Sequence, residues 1–222
     1  MTNIINAQTT NESVFKSLRS LMPQRVLSYA EALQRAELQA SRLLSLHGIN
    51  APGVPTEIVT ELPRVRVAPD YDLPVSGAAH WDGYNWVISV NASEFELRQR
   101  FSVMHEFKHI IDHPTRHLIQ GDKDLSAEDM AERVADYFAA CVLMPKAWVK
   151  SAFCTKTQRI SELADMFRVS QKAMSFRLDQ LGLVGQRTRY RKPVFEPSVF
   201  RSFPRRTYTR GYFRSQPLSN GA

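Results

Sequence analysis

A chain of 222 residues with 43% hydrophobic content can build a core for one average domain or two small ones, which excludes a disordered polymer. Two cysteines, Cys141 and Cys154, are too few for a disulfide framework and fit no zinc-knuckle spacing, so Cys141 is read as a small core residue and Cys154 as a free thiol. The formal charge of +7 invites a nucleic-acid partner, but nine bases and one acid fall in residues 186–222, leaving a nearly neutral body of 20 bases and 21 acids.

Residues 1–27 begin polar and weakly periodic, apart from a short helix around Val14 to Leu21, and are expected to be flexible. No basic, apolar leader follows Met1 and no apolar run is long enough to span a bilayer, so a cytoplasmic protein without a membrane partner is expected. Ser28 and Glu31 have the form of a capping box. From there Ala30, Leu33, Ala36, Ala40, Leu43 and Leu44 recur at helical spacing up to Gly48. Pro52, Gly53 and Pro55 break the chain, and Thr56 is placed to cap a shorter helix through Leu62.

Residues 64–67, 76–81 and 84–90 alternate like strands, and Asp82-Gly83 reads as a two-residue hairpin turn. A small antiparallel three-stranded sheet is expected, packed on a helix over residues 94–112. Its free edge is suited to holding an extended peptide by backbone pairing. Residues 114–123 read as a polar loop. Ser126 then caps a helix ending at Met144-Pro145, and Trp148 and Val149 open another short one. Residues 159–167, the turn 168–170 and residues 171–181 form a helix-turn-helix pattern with a core of Leu163, Ala164, Val169, Met174, Leu178 and Leu181. Beyond Val184 the chain loses its period.

The helix over 94–112 contains His105-Glu106-Phe107-Lys108-His109. Two histidines one turn apart share a helix face and suit a single zinc ion, while Glu106 stands beside it. That carboxylate can take a proton from a water the metal has activated and pass it to the leaving amine of a peptide bond. Hydrolytic zinc sites usually have three protein ligands. The position ten residues after His105 is Thr115, so the third must lie elsewhere. The next helix offers Glu128, Asp129, Glu132 and Asp136. Of these Glu132 is best placed, beside the apolar face of Val134, Ala135, Phe138 and Ala139. Asp136, one turn on, is spaced to accept the N–H of a ligand histidine and fix its tautomer. His113 lies roughly 80° around the helix from His105, awkward for ligation but near enough for a role beside substrate. Tyr137 and Tyr84 are the two tyrosines considered for stabilising the oxyanion, and the sequence does not choose between them.

The runs Arg100 to His109 and Glu132 to Pro145, with Pro52 to Val59, Trp86 to Asn91 and Ile160 to Leu183, resemble the ImmA/IrrE family of bacterial and phage metallo-endopeptidases over residues 28–185. The resemblance implies an α+β, mainly helical zincin-like domain with a gluzincin-like Zn2+ site: His105, His109 and Glu132 as ligands and Glu106 as catalytic base. It also implies a protein substrate, typically a transcriptional repressor with its own helix-turn-helix, from a mobile element or stress regulon. The resulting division is a flexible segment 1–27, a metallopeptidase domain 28–153, a helix-turn-helix-like unit 154–185 and a basic, disordered tail 186–222. One rival reading is a DNA-binding regulator that uses exposed Gln171, Lys172, Ser175 and Arg177 with nonspecific help from the tail. Another is a pseudo-enzyme scaffold, against which the intact His105, Glu106, His109 and Glu132 argue.

Overall fold

In the computed structural model, residues 14–121 and 126–184 are described. The chain starts with helical turns over 14–19 (α1), and the expectation of a flexible 1–27 is corrected for the part described. Val14, Leu18, Met22 and Leu27 are buried. Arg19 donates to the carbonyls of Ile110 and Ile111 at 3.0 and 3.2 Å, and Leu27 N–H to that of Leu118 at 3.2 Å. Four apolar side chains at near-helical spacing were the signal for this packing.

Helix α2 (Tyr29–Leu46) opens with the capping box: Ser28 Oγ accepts from Glu31 N–H and the Glu31 carboxylate from Ser28 N–H. Its buried stripe includes Ala32, Ala36 and Ala40, small residues that let it lie close along α5 (Ala127–Leu143). Helix α3 (Glu57–Thr60) follows Thr56, which makes no side-chain cap.

Strands β1 (Val65–Asp70), β2 (Gly77–Trp81) and β3 (Trp86–Asn91) form one sheet in the order β1-β3-β2. β2 and β3 are antiparallel, Gly77 opposite Val90 and Trp81 opposite Trp86. The expected all-antiparallel sheet is corrected, because β1 pairs parallel to β3, from Val65 opposite Trp86 to Asp70 opposite Asn91. Residues 71–76 cross the end of β3, a span of about 10 Å for two strand spacings, so the later strand slots between the earlier two. The two-residue turn also gives way to a four-residue one. Asp82 Oδ1 accepts from Tyr84 N–H and Asn85 N–H at 2.8 and 2.7 Å, and Gly83 takes φ +104°.

Helix α4 (Glu96–Asp112) packs on β2, β3 and α5. Part of the predicted loop 114–123 is instead a 3-10 helix, His113–Leu118, held by the burial of Thr115 and Leu118. Residues 122–123 lie outside the described residues. Ser126 caps α5 by accepting from Asp129 N–H at 3.0 Å. Helix α6 (Lys146–Thr155) carries the chain to α7 (Ile160–Phe167) and α8 (Gln171–Gln180), the latter capped by Ser170.

The proposed boundary between 153 and 154 falls inside α6, and α7, α8 and the turn between them contribute Leu163, Phe167, Val169, Met174 and Leu178 to the same core as α2, α4 and α5. Arg177 is a further correction. Expected to be exposed, it is 1% accessible, donating to Met144 O at 3.1 Å and Cys141 Sγ at 3.4 Å beneath the main domain. Cys141 is buried and Cys154 exposed. The expected tail 186–222 lies outside the described residues. No described helix is long and apolar enough to cross a membrane.

Candidate metal centre and active site

One turn of α4 separates His105 from His109, and their Nε2 atoms stand 3.1 Å apart. Across from them α5 brings Glu132, whose carboxylate oxygens lie 3.3 Å from His105 Nε2 and 3.2 Å from His109 Nε2. Asp136, the next turn of α5, places Oδ1 2.8 Å from His105 Nδ1. When the ring is neutral, that contact places its proton on Nδ1 and leaves the Nε2 lone pair for a metal ion. Helix packing supplies the arrangement: α4 and α5 meet through Phe107 and Phe138, with ring centroids 6.5 Å apart, while the polar residues face a shared cleft.

Burial alone would push the His105 imidazolium down, but hydrogen bonds to Asp136 and Glu132 carry it up to about 10. Burial alone would raise Glu132, and its hydrogen bonds to both histidines instead hold it far below the usual carboxylate range. Without a cation, then, this cluster traps a proton.

The donor set fits a metal ion. Two imidazole nitrogens and a carboxylate oxygen lie within 4.8 Å of one another. A tetrahedral zinc with arms of about 2.0–2.1 Å requires ligand separations of about 3.3 Å. The separations here are 3.1, 3.3 and 3.2 Å. Glu132 is the most exposed of the three side chains, at 39% against 12% and 14%, so the approach to the cluster lies on its side.

Glu106 follows His105 on α4, is 3% exposed, and is covered by the start of β2. His113 begins the 3-10 helix; with Ala79, Trp86, Arg116 and Ala131 it lines a small cavity beside His109, its ring edge-on to Trp86 at 5.0 Å. The Tyr137 hydroxyl donates to Glu37 on α2 at 3.2 Å and its ring lies 5.5 Å from the Arg177 guanidinium carbon. Tyr84 is 82% exposed at the tip of the β2–β3 turn. Sequence reasoning overlooked Gly77, which lies against Glu106, and buried Lys108 beside the motif.

Fold and site together define a metallopeptidase-like domain, with side chains that could hold a metal ion on two adjoining helices and a short sheet alongside. The chain belongs to the family described as Peptidase M78, IrrE N-terminal-like domain, which matches residues 65–179 and so takes in α4, α5 and nearly all of α8. Among solved structures, one described as a Mycobacterium tuberculosis transcriptional regulator aligns with a TM-score of 0.55 at 21% identity, over 81% of this chain and 54% of that one. That likeness concerns the fold, and this chain spans about half the length of that protein. The comparison with curated proteins returns no match.

Proposed function

We propose that this protein is a zinc-dependent endopeptidase that hydrolyses a peptide bond in a partner protein. The observation that carries the reading is the convergence of His105 Nε2, His109 Nε2 and the Glu132 carboxylate at tetrahedral separations, next to buried Glu106, in a chain of a peptidase family. Zinc held there supplies Lewis acidity, polarising a carbonyl and making water a stronger acid near neutral pH. Glu106 accepts a proton from the attacking water and returns it to the leaving nitrogen. Asp136 holds His105 in the ligating tautomer. β2, paired on one side only among the described residues, offers its outer edge to an extended segment of substrate.

The substrate class follows from the resemblance noted above: a transcriptional repressor with a helix-turn-helix, met in the cytoplasm. A DNA-binding role for α7 and α8 has less support. Gln171 and Lys172 are exposed, but Arg177, the strongest base- or phosphate-contacting side chain of α8, is committed to Met144 and Cys141. The regulator name belongs to a longer structural neighbour and is not transferred by fold alone.

The test is co-expression with repressors encoded beside the gene, comparing the parent with Glu106→Gln. Cleavage should drop by about 10²–10⁴-fold at unchanged zinc content. Equal cleavage by both proteins would end this assignment, and operator binding that survives zinc removal would favour the regulator.

A further inference from the structure

β2 begins directly on the buried base. Gly77, its first residue, pairs with Val90 and is itself buried. A Cβ at this position would stand 3.0 Å from Glu106 Cγ, 3.1 Å from Glu106 Oε1 and 3.3 Å from Ser102 Cβ. Ordinary carbon contacts begin at about 3.5 Å, so the neighbours would have to yield. Backbone geometry does not demand glycine here: Gly48, Gly53, Gly83 and Gly182 take positive φ, and Gly77 does not. What the position requires is space.

Neither side of this contact is free to retreat. Glu106 is enclosed at 3% exposure. The strand is tied down one residue earlier, where Ser76 Oγ donates to Glu94 Oε1 at 2.5 Å and accepts from Arg98 Nε at 3.3 Å, while Ser76 O accepts from Asn91 N–H at 3.0 Å. We propose that Gly77 is a positioning residue for Glu106: by lacking a side chain it lets the edge strand lie on the carboxylate and fixes where that carboxylate stands. The same strand therefore covers the base and presents the substrate-pairing edge. The inference rests on the peptidase reading, since it assigns Gly77 a part in that reaction.

Its test uses the full, zinc-loaded chain with fluorescently labelled unfolded casein as probe, together with a thermal-melting cycle of Gly77→Ala in the parent and in a Glu106→Ala background. A displacement of roughly half an ångström should lower kcat by about tenfold, with KM and zinc content unchanged. The melting loss caused by Gly77→Ala should largely vanish where the Glu106 side chain has been removed, because the two residues are coupled. An unchanged kcat, an equal melting loss in both backgrounds, or failure to fold in both would overturn the assignment. If the parent cuts neither casein nor any repressor encoded beside the gene faster than Glu106→Gln does, the peptidase reading fails and the positioning role falls with it. That result is distinct from an active parent whose Gly77→Ala variant keeps its kcat.

Discussion

Helix α4 carries two buried polar groupings that differ in one respect. Lys108 spends all three of its N–H donors inside the protein, on Asp112 Oδ1 and Oδ2 at 2.5 and 2.6 Å and on Gln39 Oε1 at 2.8 Å. Gln39 passes the network to Leu18 O at 3.1 Å. Charges cancel and each group named has a partner, so the grouping ties α1, α2 and α4 together and is complete. His105, His109 and Glu132, by contrast, converge with lone pairs toward one another and are reconciled only by a proton or a cation. A complete buried network serves the fold, whereas a convergent one awaits a ligand.

The largest expected effects exchange the roles of the two groupings. His109→Ala or Glu132→Ala should abolish stoichiometric zinc binding and cleavage while lowering the melting of the metal-free protein less than a change at Lys108 does, the Glu132 variant losing the part of the His105 proton's stabilisation that its carboxylate supplies; metal analysis beside calorimetry separates the two. Lys108→Met should do the opposite, retaining zinc while losing about 3–5 kcal/mol of stability in chemical denaturation, because Asp112 is left buried without its main partner. Arg19, whose charge senses Asp112, makes the lower end of that range the better expectation. Replacing Lys108 and Asp112 together by apolar residues should recover most of the loss.

A smaller effect is expected from Asp136→Ala, which leaves the three ligand side chains in place but frees the His105 ring. Zinc affinity should weaken by about 10–100-fold, measurable by chelator competition. The mildest is a pH dependence. In the metal-free protein His105 is raised from 6.5 to about 10, so its protonated form stabilises the fold below the unfolded value and that contribution disappears as pH rises through about 10. Zinc must displace this proton. Its apparent affinity should therefore fall by about tenfold for each pH unit lowered between about pH 8 and pH 6. A pH-independent affinity would mean that His105 is not in the ligand set.

How much of this could be read from the sequence depended on how far apart the determining residues lie. The Ser28–Glu31 box, the Ser126 and Ser170 caps and the α4 motif are local signals, and their helices formed where expected. Glu132 and Asp136 were legible because carboxylates beside an apolar face must have a reason to be there. The parallel pairing of β1 with β3 was not legible, since alternation specifies a strand's two faces but not which neighbour it joins. Arg177 misled and Lys108 was overlooked for the same reason: nothing local marks a cation on a helix as buried, and only a distant carbonyl, thiol or amide reveals it. For Lys108 a hint existed, because Asp112 stands at i+4 among Phe107, Ile110 and Ile111. Gly77 offered none, as close approach by Glu106 leaves no mark on the local pattern.

The α7–α8 pair is fastened at two places: Arg168, at φ 53° in the turn, reaches Glu96 at the start of α4 at 2.6 Å, and Arg177 reaches Met144 just beyond α5. Detaching the pair alone would bare Phe167 and Leu178 and strand the Met144 carbonyl, so no inexpensive partial opening is available to it. Its amides should consequently exchange with deuterium through the same opening event as those of α5, and limited proteolysis should not release it as a separate fragment.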